Sequence, residues 1–561
     1  MERSLRLEKW VLILAVLAGL VPYLNGCRKS SRSGTSDPRS PASSRAADPP
    51  SDPPPSALTN VLTFHNDVMR TGQNLNESVL TPANVNSASF GRVGFLKVRG
   101  KVDAEPLYVS KLVVAGETRN VLFVVTEHDM AYAFDADTFA LLWSVSLFGP
   151  GETPSDKRDC EQIEPEIGVT ATPVIDLKAG GHGTMYVVAM SKNSSGEYFQ
   201  RLHALDLTTG AEQDPPQLIT ATLPGNGPNS SHGRVTFVPK QYEDRAALLL
   251  SNGVIYTTWA SHCDHEPYNS WIIGLSQATL KPVSAISLTP NGTDGAIWMT
   301  GDGPAADAAG NIYVLTGNGT FDSNLTANGF PAERDFGNSF LELKMPGNKL
   351  SVYDYFSMHN NAAETNGDED LGSGGVLLLP DMQNSSGKVL HLAIGAGKDQ
   401  IIYVVNRDAM GKFNPKNDAE VYQELPNSLG GAEFASPAYF NNTVYYGATL
   451  APLKAFPIVN AMLADTPSSL SANRFDYPGT TPSISANGTA NAIVWAVENA
   501  NSGVLHAFDA ANLAHELYNS SQAGSRDQFY DNKFITPMIA GGKVFVGTPT
   551  GVMVFGLYST N

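Results

Sequence analysis

The side chains able to do chemistry gather in three polar stretches: Asp159-Cys160-Glu161-Gln162-Ile163-Glu164-Pro165-Glu166, Ser261-His262-Cys263-Asp264-His265-Glu266 and Asp368-Glu369-Asp370. They are rich in hard oxygen donors, which suit Ca²⁺. By composition alone they also read as solvated loops. No zinc spacing, phosphate-cradling glycine loop or nucleophile elbow is present, and Gly301-Asp302-Gly303 is too short to carry meaning. Cys27, Cys160 and Cys263 are the only cysteines, and no Cys-x-x-Cys-His haem attachment occurs. If Cys27 takes a lipid, Cys160 and Cys263 remain as an even pair in an oxidising compartment, so a disulfide is expected, with two buried thiols as the alternative.

The elements that must position these loops are legible in Val121–Trp143. Leu122–Val125, Ala131–Phe134 and Leu141–Trp143 are short β-branched or aromatic runs separated by Glu127-His128-Asp129 and Asp135-Ala136-Asp137-Thr138. This is the pattern of a three-stranded meander. Similar units recur through the chain and number eight, many opening with a proline (Pro106, Pro173, Pro437, Pro482, Pro537) where a strand start tolerates a missing N–H. A meander has one face uncovered, and stacked repeats cover it. The expected fold is therefore all-β: an eight-bladed β-propeller of four-stranded blades, with Phe90–Val98 supplying the last outer strand and closing the ring. A β-sandwich is the competing architecture. Loops of a propeller converge on a funnel at one end of the axis, where the polar stretches would meet.

Charged residues make up only 16% of the 561-residue chain, beside 51 glycines and 36 prolines, a turn-rich all-β composition. The net charge of −18 disfavours nucleic acid or an anionic membrane as partner and otherwise serves solubility. Residues 1–27 read as an export signal: Arg3, Arg6 and Lys9 precede the apolar run Trp10–Leu20, and Leu24-Asn25-Gly26 before Cys27 resembles a lipobox. Simple cleavage and an uncleaved anchor are the alternatives to lipidation at Cys27. Residues 28–58 are a Ser/Pro-rich tether, and 59–561 carry the propeller.

Ala133-Phe134-Asp135-Ala136-Asp137-Thr138 with Trp143 resembles the repeated tryptophan-docking motif of the quinoprotein alcohol dehydrogenases, with Phe139 in place of a glycine. Thr63–Asp67, Leu80–Val85 and Gly100–Leu107 resemble that family's opening segment, so the likeness spans the chain from residue 59 onward. The family holds pyrroloquinoline quinone (PQQ) and Ca²⁺ on the axis of an eight-bladed propeller. The resemblance implies Trp298 as the floor under the quinone, Lys398 and Asp103 as quinone contacts, Cys160 as what remains of a cysteine-pair roof, and Asn318 and Glu266 as calcium ligands. Asp368 or Asp370 would be the catalytic base. It further implies hydride transfer from a small alcohol or sugar in an exported, envelope-located enzyme. The roof loop carries one cysteine and no arginine, and Glu164 and Glu166 would place negative charge against a tricarboxylate. The alternative is a non-catalytic propeller lipoprotein that binds a protein or glycan in the cell envelope.

Overall fold

The meander at Val121–Trp143 is the middle of a sheet in which Leu107–Val114, Glu117–Thr126, Met130–Asp135 and Leu141–Ser146 run antiparallel. The computed structural model describes residues 59–299, 302–500 and 502–558. The readings of residues 1–58 as signal, lipidation site (Cys27) and tether lie outside this range. Among the described residues, eight of the ten sheets have four or more strands. Their central pairs follow one another along the chain. After the first sheet come Thr184–Asn193 with Tyr198–Asp206, Val254–Ser261 with Trp271–Ser276, and Ile312–Leu315 with Phe340–Lys344. Leu392–Ala396 with Ile402–Asn406, Thr443–Tyr446 with Lys454–Val459, Ala490–Ala500 with Ser502–Asp509, and Lys543–Thr548 with Gly551–Leu557 complete the series. The central strands are apolar on both faces, as Val-, Ile- and Tyr-rich strands between two covering layers must be. Leu107, Val174, Ala438, Ser483 and Met538 each begin a strand directly after one of the five prolines.

Six apolar clusters join each sheet to its neighbours. Phe123 of the first sheet, Met185 of the second and Phe545 of the eighth share one. Val188 and Trp271 join the second and third sheets, and Tyr256, Phe340 and Tyr403 the third, fourth and fifth. Ile394 and Phe456, Tyr445 and Phe508, and Trp495 and Phe555 carry the series to the eighth. Phe90–Lys97 lies antiparallel to Gly551–Leu557, with a bulge between Arg92 and Gly94.

The segment before that strand touches eight of the ten sheets, or residues directly beside them. Asn60–Val61 pairs with Leu107–Val114 of the first sheet. Leu62 O accepts from Ile175 N at 2.8 Å, Val68 O from Ala306 N at 2.7 Å, Met69 O from Leu378 N at 3.0 Å, Thr71 O from Tyr439 N at 2.8 Å and Gly72 O from Ile484 N at 2.7 Å. Arg70 Nη2 donates to Leu248 O beside the third sheet at 3.2 Å, and Asn74 Nδ2 to Ile539 O of the eighth at 2.9 Å. A stretch this short spans at most about 60 Å when extended. Each of these eight sheets therefore has a point on one short path.

Trp143 leaves the first sheet to dock on the second. Its Nε1 donates to Leu207 O at 3.0 Å, and its ring lies where a side chain on Gly210 would stand, 2.6 Å from that Cβ position. Phe139, at the position of the motif's glycine, keeps the left-handed backbone (φ 65°) and packs its ring on Gly94 of the closing strand. The substitution thus gains a second interlock, between the last sheet and the first.

Candidate functional site

A cavity of about 270 Å³ collects residues from loops of several sheets. Four residues singled out in the sequence line it: Cys160, Trp298, Asp370 and Lys398. The helix Asn361–Gly367, which the strand pattern did not anticipate, ends at Asp368 in a left-handed cap (φ 62°, ψ 40°) and delivers Asp368–Asp370 to the wall. Asp370 is buried; its Oδ1 accepts Asn318 N at 2.5 Å and its Oδ2 stands 2.5 Å from Lys398 Nζ. Lys398 Nζ also reaches Asp368 Oδ1 at 2.8 Å, and Asn318 Nδ2 donates to that same oxygen at 3.0 Å. Burial raises the Asp370 carboxyl above its usual range, with Lys398 opposing. Burial also works against the Lys398 cation, but Asp370 and Asp368 outweigh it and hold the ammonium well above its ordinary value. A Cβ on Gly317 would fall 2.6 Å from Asp370 Oδ1 and 2.8 Å from Trp298 Cδ1, so the indole and the carboxylate meet over a position that only glycine can fill.

Cys160 and Cys263 are joined in a disulfide, Cα atoms 5.7 Å apart, and both line the cavity. It ties the loop between Glu152–Asp156 and Glu166–Ile167 of the second sheet to the loop between the third sheet's central strands. Asp264 beside it accepts from Tyr268 Oη at 2.9 Å, and burial, with like charges at Asp370 and Asp368, raises its carboxyl. Glu243 also lines the cavity and pairs with His262 Nδ1 at 2.6 Å. The remaining wall is aromatic: Tyr477 meets Phe434 and Phe534 edge-on at 5.2 and 6.1 Å between centroids. Arg245 stacks 4.3 Å over Phe534, a contact that holds a guanidinium at the cavity without an acidic partner.

Several residues singled out in the sequence lie away from the cavity. Glu164 pairs with Lys157 and Glu166 with His128 at 2.7 Å, and neither lines the cavity, so they do not bring negative charge to it. Arg245, from elsewhere in the chain, brings a guanidinium to the cavity. Glu266 is exposed and absent from the wall, where Glu243 and Asp264 stand instead. Asp103 faces an adjoining space of about 20 Å³ shared with Lys101, Gln162, Arg245 and Phe534. Burial disfavours its charge, but Lys101 at 3.1 Å holds it below the usual range, while burial and the Asp103 charge push Glu127 well up.

Donors for a hard cation are present. Asn318 Oδ1 is buried and, among the described residues, has no hydrogen-bond partner; it stands next to Asp370, so an oxygen-ligated metal fits there. Lys398, Arg245, the disulfide and the Trp298 indole offer a planar anionic ring both charge and an apolar surface.

No family model and no curated protein sequence matches the chain, so its likeness to known proteins is one of structure. A quinohemoprotein alcohol dehydrogenase from Comamonas testosteroni superposes with a TM-score of 0.57 at 15% identity, covering 89% of this chain and 80% of the other. The quinohemoprotein alcohol dehydrogenase ADHIIG from Pseudomonas putida HK5 gives 0.56 at 12% identity, covering 90% and 81%. A europium-containing methanol dehydrogenase gives 0.55 at 12% identity, covering 89% and 98%. The fold is that of the quinoprotein alcohol dehydrogenases. Asp370, Lys398, Trp298 and Cys160, assigned from that resemblance, come together in one cavity; Glu266 and Asp103 stand outside it. Arg245, Glu243 and Asp264 carried no motif in the sequence.

Proposed function

We propose that the chain is an eight-bladed propeller closed by Phe90–Lys97 and that its axial cavity is the site of an exported quinoprotein-type dehydrogenase acting on a small alcohol or sugar. The cyclic series of core clusters and the segment touching eight sheets support the ring. The observation that carries the functional reading is the convergence of Asp370, Lys398 and Trp298 with the Cys160–Cys263 disulfide in one cavity. In this reading Trp298 and the disulfide offer the cofactor apolar surface, Arg245 and Lys398 attract its carboxylates, and Asn318 Oδ1 with Asp370 holds Ca²⁺. When bound, PQQ with Ca²⁺ supplies an electrophilic carbonyl able to accept hydride. Asp370 takes the substrate hydroxyl proton, and its raised pKa suits a base working near neutral pH. Lys398 fixes the carboxylate by holding one oxygen, and the Asn318 amide N–H holds the other. The aromatic wall of Phe434, Tyr477 and Phe534 limits water at the reacting carbon.

The test is a titration of the purified chain with PQQ in the presence and absence of Ca²⁺, followed by tryptophan fluorescence, with a dye-linked assay over alcohols and sugars. Saturable, calcium-dependent binding is expected. Asp370→Asn, which removes the base and weakens a calcium ligand, should lose about 100-fold or more in turnover. Absence of saturable binding would overturn the reading and leave a propeller that binds a protein or glycan partner in the envelope.

A further inference from the structure

Sulfur, imidazole and carboxylate meet at one side of the cavity. Tyr242–Glu243 pairs antiparallel with Val254–Ser261, which sets Glu243 opposite Ala260. His262 follows two residues after Ala260 and continues the ladder, its N–H donating to Gln241 O at 3.0 Å. Residues two apart share a face, so Glu243 meets His262 diagonally across the strand pair. Glu243 Oε1 and His262 Nδ1 are accordingly hydrogen-bonded at 2.6 Å. Cys160 arrives from the loop between Glu152–Asp156 and Glu166–Ile167, held by its disulfide to Cys263, the residue after His262. Cys160, Glu243 and His262 are all buried.

One donor atom of each residue, the Cys160 sulfur, a Glu243 carboxylate oxygen and a His262 ring nitrogen, lies within 4.8 Å of the other two. Ligands about 2.0–2.3 Å from a tetrahedral ion stand about 3.3–3.8 Å apart, so small side-chain shifts close the three around one centre. Cys263 Sγ, bonded to Cys160 Sγ, adds a fourth donor. In the disulfide neither sulfur is a thiolate, and the set holds no ion. A dithiol reductant changes that: it gives up two electrons and two protons, becomes a disulfide itself, and leaves Cys160 and Cys263 as thiols. A divalent ion then displaces both thiol protons. Two thiolates and the Glu243 carboxylate leave one negative charge in excess over such an ion. Arg158, with Nη2 3.0 Å from His262 Nδ1, supplies the matching positive charge, so the buried site is neutral overall. Thiolate and imidazole favour Zn²⁺ over a hard ion such as Ca²⁺. Cys160, Cys263 and Glu243 line the cavity, which gives reductant and ion a way in.

We propose that Cys160, Cys263, Glu243 and His262 form a Zn²⁺ site that becomes available when the disulfide is reduced and is lost when it re-forms. The same two loops are tied in both states, by a covalent bond in one and by the ion in the other, so the cavity wall keeps its crosslink when redox conditions change. The assignment does not rest on quinone binding, and its test uses no quinone.

The full chain, reduced with dithiothreitol and freed of it without oxygen, is titrated with Zn²⁺ against a chromophoric chelator. The reduced chain should take up one ion that the oxidised chain does not, releasing two protons near neutral pH. Co²⁺ in its place should show the thiolate-to-metal absorption of a tetrahedral sulfur site. His262→Gln and Glu243→Gln keep every thiol, Cys27 included, so any binding by thiols alone is common to all arms. Each should weaken the ion by more than the roughly 10- to 100-fold that loss of an outer partner costs, and either serves where the other does not fold. Equal affinity in oxidised and reduced chains, unaltered affinity in a folded His262→Gln or Glu243→Gln, or a folded reduced chain that takes no ion would overturn the assignment. So would loss of the fold on reduction, followed by tryptophan fluorescence, because only the folded loops bring the four donors together.

Discussion

Lys398 is the residue on which the candidate chemistry turns, because it touches both aspartates and lines the cavity. Asp370 lies above the ordinary carboxylate range through burial, and the ammonium is the main force pulling it back down. Lys398→Met keeps the stem's packing and removes that pull. The acid limb of the turnover profile, which reports ionisation of the base, should then move to higher pH, measured as kcat/KM against pH with a dye acceptor. An unmoved limb in an otherwise active variant would remove Asp370 from the base role. Arg245 shows what spacing alone cannot reveal. Within Tyr242-Glu243-Asp244-Arg245 it belongs to no motif, and only the Phe534 ring, nearly 290 residues further on in the chain, makes it a cavity cation. Trp298, Lys398 and Asp370 were legible because a resemblance ordered them along the chain. Glu266 stands outside the cavity while Asp264, two residues earlier, lines it, and two carboxylates in one loop read alike in sequence.

At the scale of elements, the strands were legible because each is a short β-branched or aromatic run bounded by turn residues, and the five prolines fall one residue before strand starts. The segment 60–77 was not. It makes its contacts mostly through backbone carbonyls, which leave no side-chain pattern to read. Its one conspicuous mark is Arg70, fully buried and donating to Thr63, Phe64, Leu248 and Pro304. Replacing it by methionine fills similar volume but strands those acceptors and leaves Asp302, Asp67 and Glu105 without their cation. Arg70→Met should cost about 3–5 kcal/mol in urea unfolding, since each stranded buried acceptor costs roughly 1–3 kcal/mol and the loss of a buried charge's partner adds to it. A loss under about 1 kcal/mol would mean that the segment merely lies against the sheets without fastening them.

For the whole molecule, the axis is a store of carboxyl groups kept from water. Burial lifts Glu105 and Glu433 to about 8 and Asp302 to about 7, and Glu364 beside the site rises to about 8. In the unfolded chain such groups ionise near their ordinary values, so the folded state binds more protons between those values and its own. Stability in the absence of metal should therefore fall as pH rises, each group contributing a slope of up to about 1.4 kcal/mol per pH unit until its folded pKa is passed. His65 runs the other way: burial lowers it to about 4, so it favours folding increasingly as pH rises from there to its ordinary value. Between pH 6.5 and 8 the unfolded chain's His65 loses its remaining proton, and His506, where burial is outweighed by the Glu498 and Glu516 carboxylates that raise it, releases its own, so the share of Glu433 is read as a difference between variants. Urea midpoints taken across that window should decline in wild type, and Glu433→Gln should flatten the decline by one group's share because an amide has no proton to lose. An equal slope in wild type and Glu433→Gln would show that the Glu433 carboxyl is already ionised in the folded ring, and that its burial is offset by a partner other than a proton.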